Sequence, residues 1–357
     1  MMKRKILSIL LTLTMTLTLL PATAMAEDVK GVQCDGGDGC DHKVAAIYDG
    51  SAGENPGEYH YDTLQAAITN GTNDYYGNFK LLDDVKEDIV VGEGRIAGKY
   101  ITLDLNGHTI TNAKSDTITV QKRGKLTITG SGTVDNVTDG RAPIYNNGTC
   151  TLSGGNYTRS KEAADNTTTS SGGNSYYNIL NHGEMTIGSG VSVTSSGHFS
   201  SLVANGYYDY SAKDKGDRTA YIDNVGQAAP KLTIEGGTFR GGINTIKNDD
   251  NATLTIKDGT FSNVTQAVVQ NNNIAEISGG TFDAGDGFYA LQNRNFNGTM
   301  NKGNLTVTGG EFKGNVYATE GATTDIRGGK FTANVKAYIP SDYVQSADGT
   351  VAPLGES

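Results

Sequence analysis

The sequence predicts an all-β chain built as a right-handed parallel β-helix, a solenoid of about nine or more rungs with a short amino-terminal cap helix. Three observations carry this: an eight-residue phrase recurs along most of the chain, a second apolar motif recurs between its copies, and glycine is abundant while proline and tryptophan are scarce or absent. Internal periods near 20 residues indicate a stacked solenoid, whereas propeller blades run to roughly 40 to 45.

The phrase is clearest in five places: Leu232 to Phe239 (LTIEGGTF), Leu254 to Phe261 (LTIKDGTF), Ala275 to Phe282 (AEISGGTF), Leu305 to Phe312 (LTVTGGEF) and Thr324 to Phe331 (TDIRGGKF). Looser copies begin at Leu103, Leu126, Cys150 and Met185. Apolar residues at positions one and three, with Thr commonly between them, have the period of two expected for a strand with one buried face. The Gly pair supplies a corner, since glycine takes positive φ without steric cost, and the residue at position eight then turns inward. Cys150 stands where Leu is usual and is expected as a buried core thiol.

The second motif is an aliphatic residue, one variable residue and Asn. It places Asn146, Asn181, Asn224, Asn248, Asn271 and Asn293 in one column, and Glu320 takes that place in the last rung. Such Asn residues can form a ladder of amide hydrogen bonds along the solenoid axis, so their predicted role is structural.

Residues 1–26 have the pattern of a secretory signal peptide: Lys3, Arg4 and Lys5, an apolar run, and the exit Ala24-Met25-Ala26. The remaining chain is then predicted to be exported and to act extracellularly or in loose association with the cell surface. Residues 27–60 form an extension with a Cys-Asp-Gly loop, residues 61–351 the β-helix with its caps, and 352–357 a tail without a sorting signal. Losing three basic residues leaves 26 basic against 39 acidic, a net −13. That charge argues against nucleic acid or an anionic membrane as partner, and no membrane insertion is expected. The oligomeric state is not encoded.

Tyr61 to Ile68 has apolar residues at helical spacing, an acidic start and Asn70-Gly71 as a stop, and is predicted to be the cap helix. The aromatic-rich segment after Val335 is expected to close the other end. Within Cys34 to His42, Cys34 and Cys40 form a local disulfide on the simplest reading; free or intermolecular thiols and a metal site with His42 are the alternatives. Two insertions carry Tyr176, Tyr177, Tyr207, Tyr208 and Tyr210, which are the candidate ligand-binding residues because aromatic faces pack against sugar rings and loops on a rigid scaffold commonly carry function. The rung histidines His108, His182 and His198 fall in unrelated positions and are expected at turns or on the surface.

With these repeats in view, the chain resembles the pectate-lyase-like right-handed β-helix superfamily over roughly Phe79 to Phe331. Residues 61–68, 81–85, 101–110 and 337–343 look more narrowly like the secreted Gram-positive repeat proteins labelled pectate-lyase-like adhesive. The resemblance implies the architecture and leaves activity open, since its members include lyases, hydrolases, phage tail spikes and adhesins. The motif set of the polygalacturonase-like hydrolases is missing. If the chain were an enzyme, the acid and base candidates are Asp223, Lys247, Asp249, Asp250 and Arg294, and a lyase would call for calcium. A salt-bridged bend is the more economical reading of Lys247 to Asp250. The expected function is therefore non-catalytic binding of a polysaccharide or a surface protein, with no cofactor. A uronate-acting lyase or hydrolase is the alternative, and a structural spacer in a surface assembly is the second alternative.

Overall fold

A computed structural model of the protein describes residues 32, 41–53, 55–162, 175–207, 229–249, 251–295 and 302–355. The chain is all-β, 48% strand and 5% helix, with two long parallel sheets, as a parallel β-helix requires. Among the described residues one sheet holds 20 strands and the other nine.

Each of the five clear copies of the phrase contributes two strands to the larger sheet, one from its apolar start and one from its terminal Phe, whereas the copies at Cys150 and Met185 each run as a single strand, Thr149–Thr158 and Glu184–Thr194. Leu232, Leu254, Ala275, Leu305 and Thr324 stand in one register column, and Phe239, Phe261, Phe282, Phe312 and Phe331 in another. The five Phe rings stack with centroids 4.9, 4.8, 4.6 and 4.5 Å apart and nearly parallel planes. This spacing is that of neighbouring strands, so the backbone ladder imposes it on the rings. The corner between the two strands needs glycine: Gly280, for example, sits at φ +102°, and a Cβ there would come within 3.0 Å of the Gly259 carbonyl oxygen.

The earliest phrase begins two residues before Leu103. Ile101 pairs with Leu126 and Leu103 with Ile128, because an extra residue pair lengthens this corner. A further rung precedes it, with Gly77 against Ile101, Phe79 against Leu103 and Val85 against Ile110.

The nine-stranded sheet follows the second motif, each strand paired with those of the preceding and following rungs. Here one assignment is corrected. The strand between Ile179–Asn181 and Asn244–Asn248 is Val203–Asn205, so Asn205 and not Asn224 fills the ladder. Asn224 lies outside the described residues. The Nδ2 of Asn146, Asn181, Asn205, Asn248 and Asn271 donates to the Oδ1 of the next Asn at 2.7–2.9 Å, ending at Asn293. All six are buried. At the last rung Asn293 faces Ala318 rather than Glu320, which lies two residues further on. Its amide turns instead to the Thr323 carbonyl and the Thr324 hydroxyl.

The helix runs from Leu64 to Asn70, three residues later than expected, because Tyr61 closes a strand and Thr63 provides the cap, its hydroxyl accepting from Ala66 N. The helix itself has no acid in its first turn; Glu87 supplies one from outside, accepting from Leu64 N and Gln65 N. Part of the amino-terminal extension joins the larger sheet. Val44–Tyr48 pairs antiparallel with both Gly57–Tyr61 and Tyr76–Leu81. At the carboxyl end Val351–Pro353 pairs antiparallel with Tyr343–Gln345. Cys150 is buried and its thiol is pushed up to about 12 by desolvation. Cys34 and Cys40 lie outside the described residues.

Candidate functional site

In the nine-stranded sheet, the variable residue between aliphatic and Asn points away from the core. Tyr145, Leu180, Ala204 and Lys247 therefore follow one another down the outer face. Over Leu180 and Ala204 the surface sinks into a recess of about 360 Å³.

Aromatic rings form its walls. His182, the residue after ladder Asn181, meets Tyr145 edge to face with centroids 5.4 Å apart, and its Nδ1 lies 3.3 Å from the Tyr145 hydroxyl. Its other side stacks on Tyr207, 4.0 Å away and 20° from parallel. Opposite stand Tyr176 and Tyr177, rings 5.0 Å apart. The Arg159 guanidinium lies over the Tyr176 ring at 5.8 Å and donates to the Thr138 and Arg141 carbonyls, which anchors this bank of the recess. Glu162 accepts from Tyr176 N at 3.3 Å and from the Ser195 hydroxyl.

Charged groups at the rim come in opposed pairs. Arg141 lies 3.7 Å from Asp116, whose carboxylate also accepts from Ala142 N at 2.7 Å. Burial nevertheless raises the Asp116 pKa above the usual carboxylate value. Lys247 meets Asp249 at 3.0 Å, and Asn272 donates to the same Asp249 oxygen at 3.1 Å. Both members of this second pair are almost wholly buried. The recess is thus close to electroneutral and rich in flat rings, a surface suited to sugar faces and hydroxyls rather than to a strongly charged ligand.

Of the residues singled out from the sequence, Tyr176, Tyr177, Tyr207, Lys247 and Asp249 are gathered in or beside this recess. Tyr207 contributes as a buried support for His182. The backbone of Arg294 follows Asp249 and Asn272 in one column, two rungs on from Asp249. Asp223, Asp250, Tyr208 and Tyr210 lie outside the described residues. Asp116, Arg141, Tyr145 and His182 were not singled out for this site. Tyr145 had a signal, being the outward residue of an Ile-x-Asn motif; Asp116 and Arg141 arrive through loops and had none. Among the described residues, no group of three or more His, Cys, Asp or Glu could hold a metal ion.

Burial pushes the His182 pKa down to about 4 from 6.5. The unfolded chain then binds more protons than the folded one between these values, so stability is complete above about pH 6.5 and is lost as pH falls towards 4. Lowering pH from 7 to 4.5 is expected to cost the protein about 2 kcal/mol more than it costs a His182→Phe variant, read as the difference in urea-unfolding free energies. An equal loss in both proteins would show that His182 is not held neutral by burial.

In comparison with known proteins, no family model, curated protein or solved structure matches the chain.

Proposed function

We propose that the protein is an exported or loosely surface-associated binding protein that holds a neutral glycan segment in the aromatic recess without cleaving it. In this reading the scaffold is a right-handed parallel β-helix, with the Leu64–Asn70 helix covering its amino-terminal end. The observation that carries the proposal is the placement of Tyr145, Tyr176, Tyr177 and His182 around one small depression whose charges are internally paired. Tyr145 and His182 are held by their mutual contact and by stacking on Tyr207, and Tyr176 lies under the Arg159 guanidinium, so little conformational freedom is lost when a ligand settles on them.

A hydrolase is the second reading, because Asp116 and Asp249 both border the recess and burial keeps the Asp116 carboxyl readier to carry a proton. Against it, Asp249 is neutralised by Lys247 and Asp116 is bonded to the Ala142 amide beside Arg141. An inverting hydrolase needs one carboxylate left available to activate water.

Retention on a panel of insoluble neutral polysaccharides tests the proposal. The wild-type chain is expected to bind at least one, and Tyr145→Ala and Tyr176→Ala each to weaken that binding about tenfold, the loss expected from one aromatic platform and its buried area. Undiminished retention by both variants would remove the recess as the binding site.

A further inference from the structure

The two ends of the solenoid are finished differently. At the amino end the outermost strand of the nine-stranded sheet is Ile89–Val91, and a side chain of the cap helix closes its edge. The Gln65 amide accepts from Val90 N at 2.7 Å and donates to the Val90 carbonyl at 3.2 Å, the two bonds that a further strand would make. At the carboxyl end the chain folds back over part of the last rung. Phe331 N donates to the Gly349 carbonyl and Val351 N to the Gly329 carbonyl, and Ile326, Phe331 and Val335 are buried beneath this cover.

The strand Asn315–Ala318, last of the nine-stranded sheet, is left out. Among the described residues, no strand pairs with its far edge. Val316 continues the column of Ile246, Val269 and Leu291, each 0–1% exposed, yet is itself only partly buried. Tyr317 is 43% exposed, with the Tyr289 ring 5.9 Å away. Asn315-Val316-Tyr317-Ala318 carries neither charge nor proline, the devices that commonly keep an edge strand from pairing with another chain.

The edge is complementary to itself. Asn315 N donates to the Phe288 carbonyl and Thr319 N to the Asn293 carbonyl, so the odd-numbered residues turn their main-chain groups to the preceding strand. Those of Val316 and Ala318 therefore face the open side, since successive residues of a strand bond to opposite edges. Antiparallel pairing with a second copy, about a two-fold axis at Tyr317, sets Val316 of each chain opposite Ala318 of the other. Each such pair can exchange both N–H···O bonds, and the half-buried Val316 is covered. Tyr317 then meets its own counterpart as an aromatic cross-strand pair. The same register brings Glu320 of each chain opposite Gly314 of the other, next to Lys313, so that opposite charges adjoin.

We propose that the protein forms a tail-to-tail dimer in which Asn315–Ala318 pairs antiparallel with the same strand of a second copy, joining the two nine-stranded sheets into one. The partner is another copy because the open main-chain groups, the apolar residues and the flanking charges all match under the one two-fold operation. This pairing does not depend on what the aromatic recess binds.

Sedimentation velocity of the purified protein under reducing conditions tests it, over about 1 to 200 µM because so small an interface is expected to hold in the micromolar range. Wild type is expected to pass from monomer to dimer as concentration rises. Tyr317→Asp and Tyr317→Lys each place like charges opposite one another on the axis and should each weaken the dimer at least about tenfold. An equimolar mixture of these two variants should dimerise again, and Tyr317→Phe should behave as wild type. Circular dichroism confirms that each variant is folded. Wild type that stays monomeric throughout would overturn the proposal and leave the edge to an extended peptide of another protein. Wild-type dimerisation by both charged variants, or a mixture that stays monomeric, would also overturn it.

Discussion

Asn248→Ala is expected to lower the unfolding free energy by about 3 kcal/mol, seen as a shifted urea midpoint. Asn248 is fully buried, and its Nδ2 donates to the Ala252 and Ile274 carbonyls as well as to Asn271 Oδ1. Its own Oδ1 accepts from Asn205 at 2.8 Å. Alanine removes four bonds at once, interrupts the ladder at its middle and leaves buried carbonyl groups that water cannot reach, each costing on the order of 1–3 kcal/mol. Redistribution of the neighbouring amides offsets part of that sum: the Ala252 carbonyl, for instance, keeps its bond from Asn273. Asn156, whose exposed amide donates to the Gly132 carbonyl, is the control, and its replacement by Ala should change stability by no more than about 0.5 kcal/mol. Equal effects at the two positions would contradict a structural role for the ladder.

Phe282→Ala is expected to cost about 3–5 kcal/mol by the same measurement. Phe282 is fully buried between Phe261 and Phe312, with centroid separations of 4.8 and 4.6 Å. The neighbouring rings cannot close the gap, because the strands that carry them are hydrogen-bonded on both sides at fixed spacing. The cavity therefore persists and its cost is not relieved by collapse. Phe282→Leu, which refills most of the volume, should recover the greater part of the loss. A Phe282→Ala protein as stable as wild type would mean that the column is not a close-packed core.

The repeat was legible because a solenoid writes its core directly into the sequence. Each Leu-x-Ile and each terminal Phe repeats what lies beneath it, and the register of five successive Phe residues follows from counting alone. What failed were positions where counting crosses an insertion. Ile222-x-Asn224 precedes the Leu232 phrase by eight residues, far nearer the usual four than Asn205 at 27, and so takes the ladder place by counting, although Val203-Ala204-Asn205 carries the same motif. Ladder membership is decided by pairing with Asn181 and Asn248 in neighbouring rungs, and local spacing does not encode that once a long segment intervenes. Glu320 stands four residues before the Thr324 phrase, the offset seen at Asn146, Asn181 and Asn271, yet Ala318, two residues earlier, is the residue that pairs with Asn293.

The candidate sites were legible to different degrees. Tyr176, Tyr177 and Tyr207 stood out by composition, and Lys247 with Asp249 by their place on a bend. That they border one recess depends on how the segments before and after the nine-stranded sheet fold over its outer face, which periodicity does not report. His182 was set aside because its position matched no other histidine, yet stacking joins residues from neighbouring rungs irrespective of type, and its partners are tyrosines.

The central claim, that the aromatic recess binds a glycan and leaves it intact, is tested most directly by prolonged incubation of the protein with a polysaccharide that retains it, while bound protein, reducing ends and unsaturated products are followed together, with and without calcium. The account predicts sustained retention and no product under either condition. Product that accumulates with wild-type protein and is abolished by Asp116→Asn or Asp249→Asn would contradict it and identify the recess as an active site.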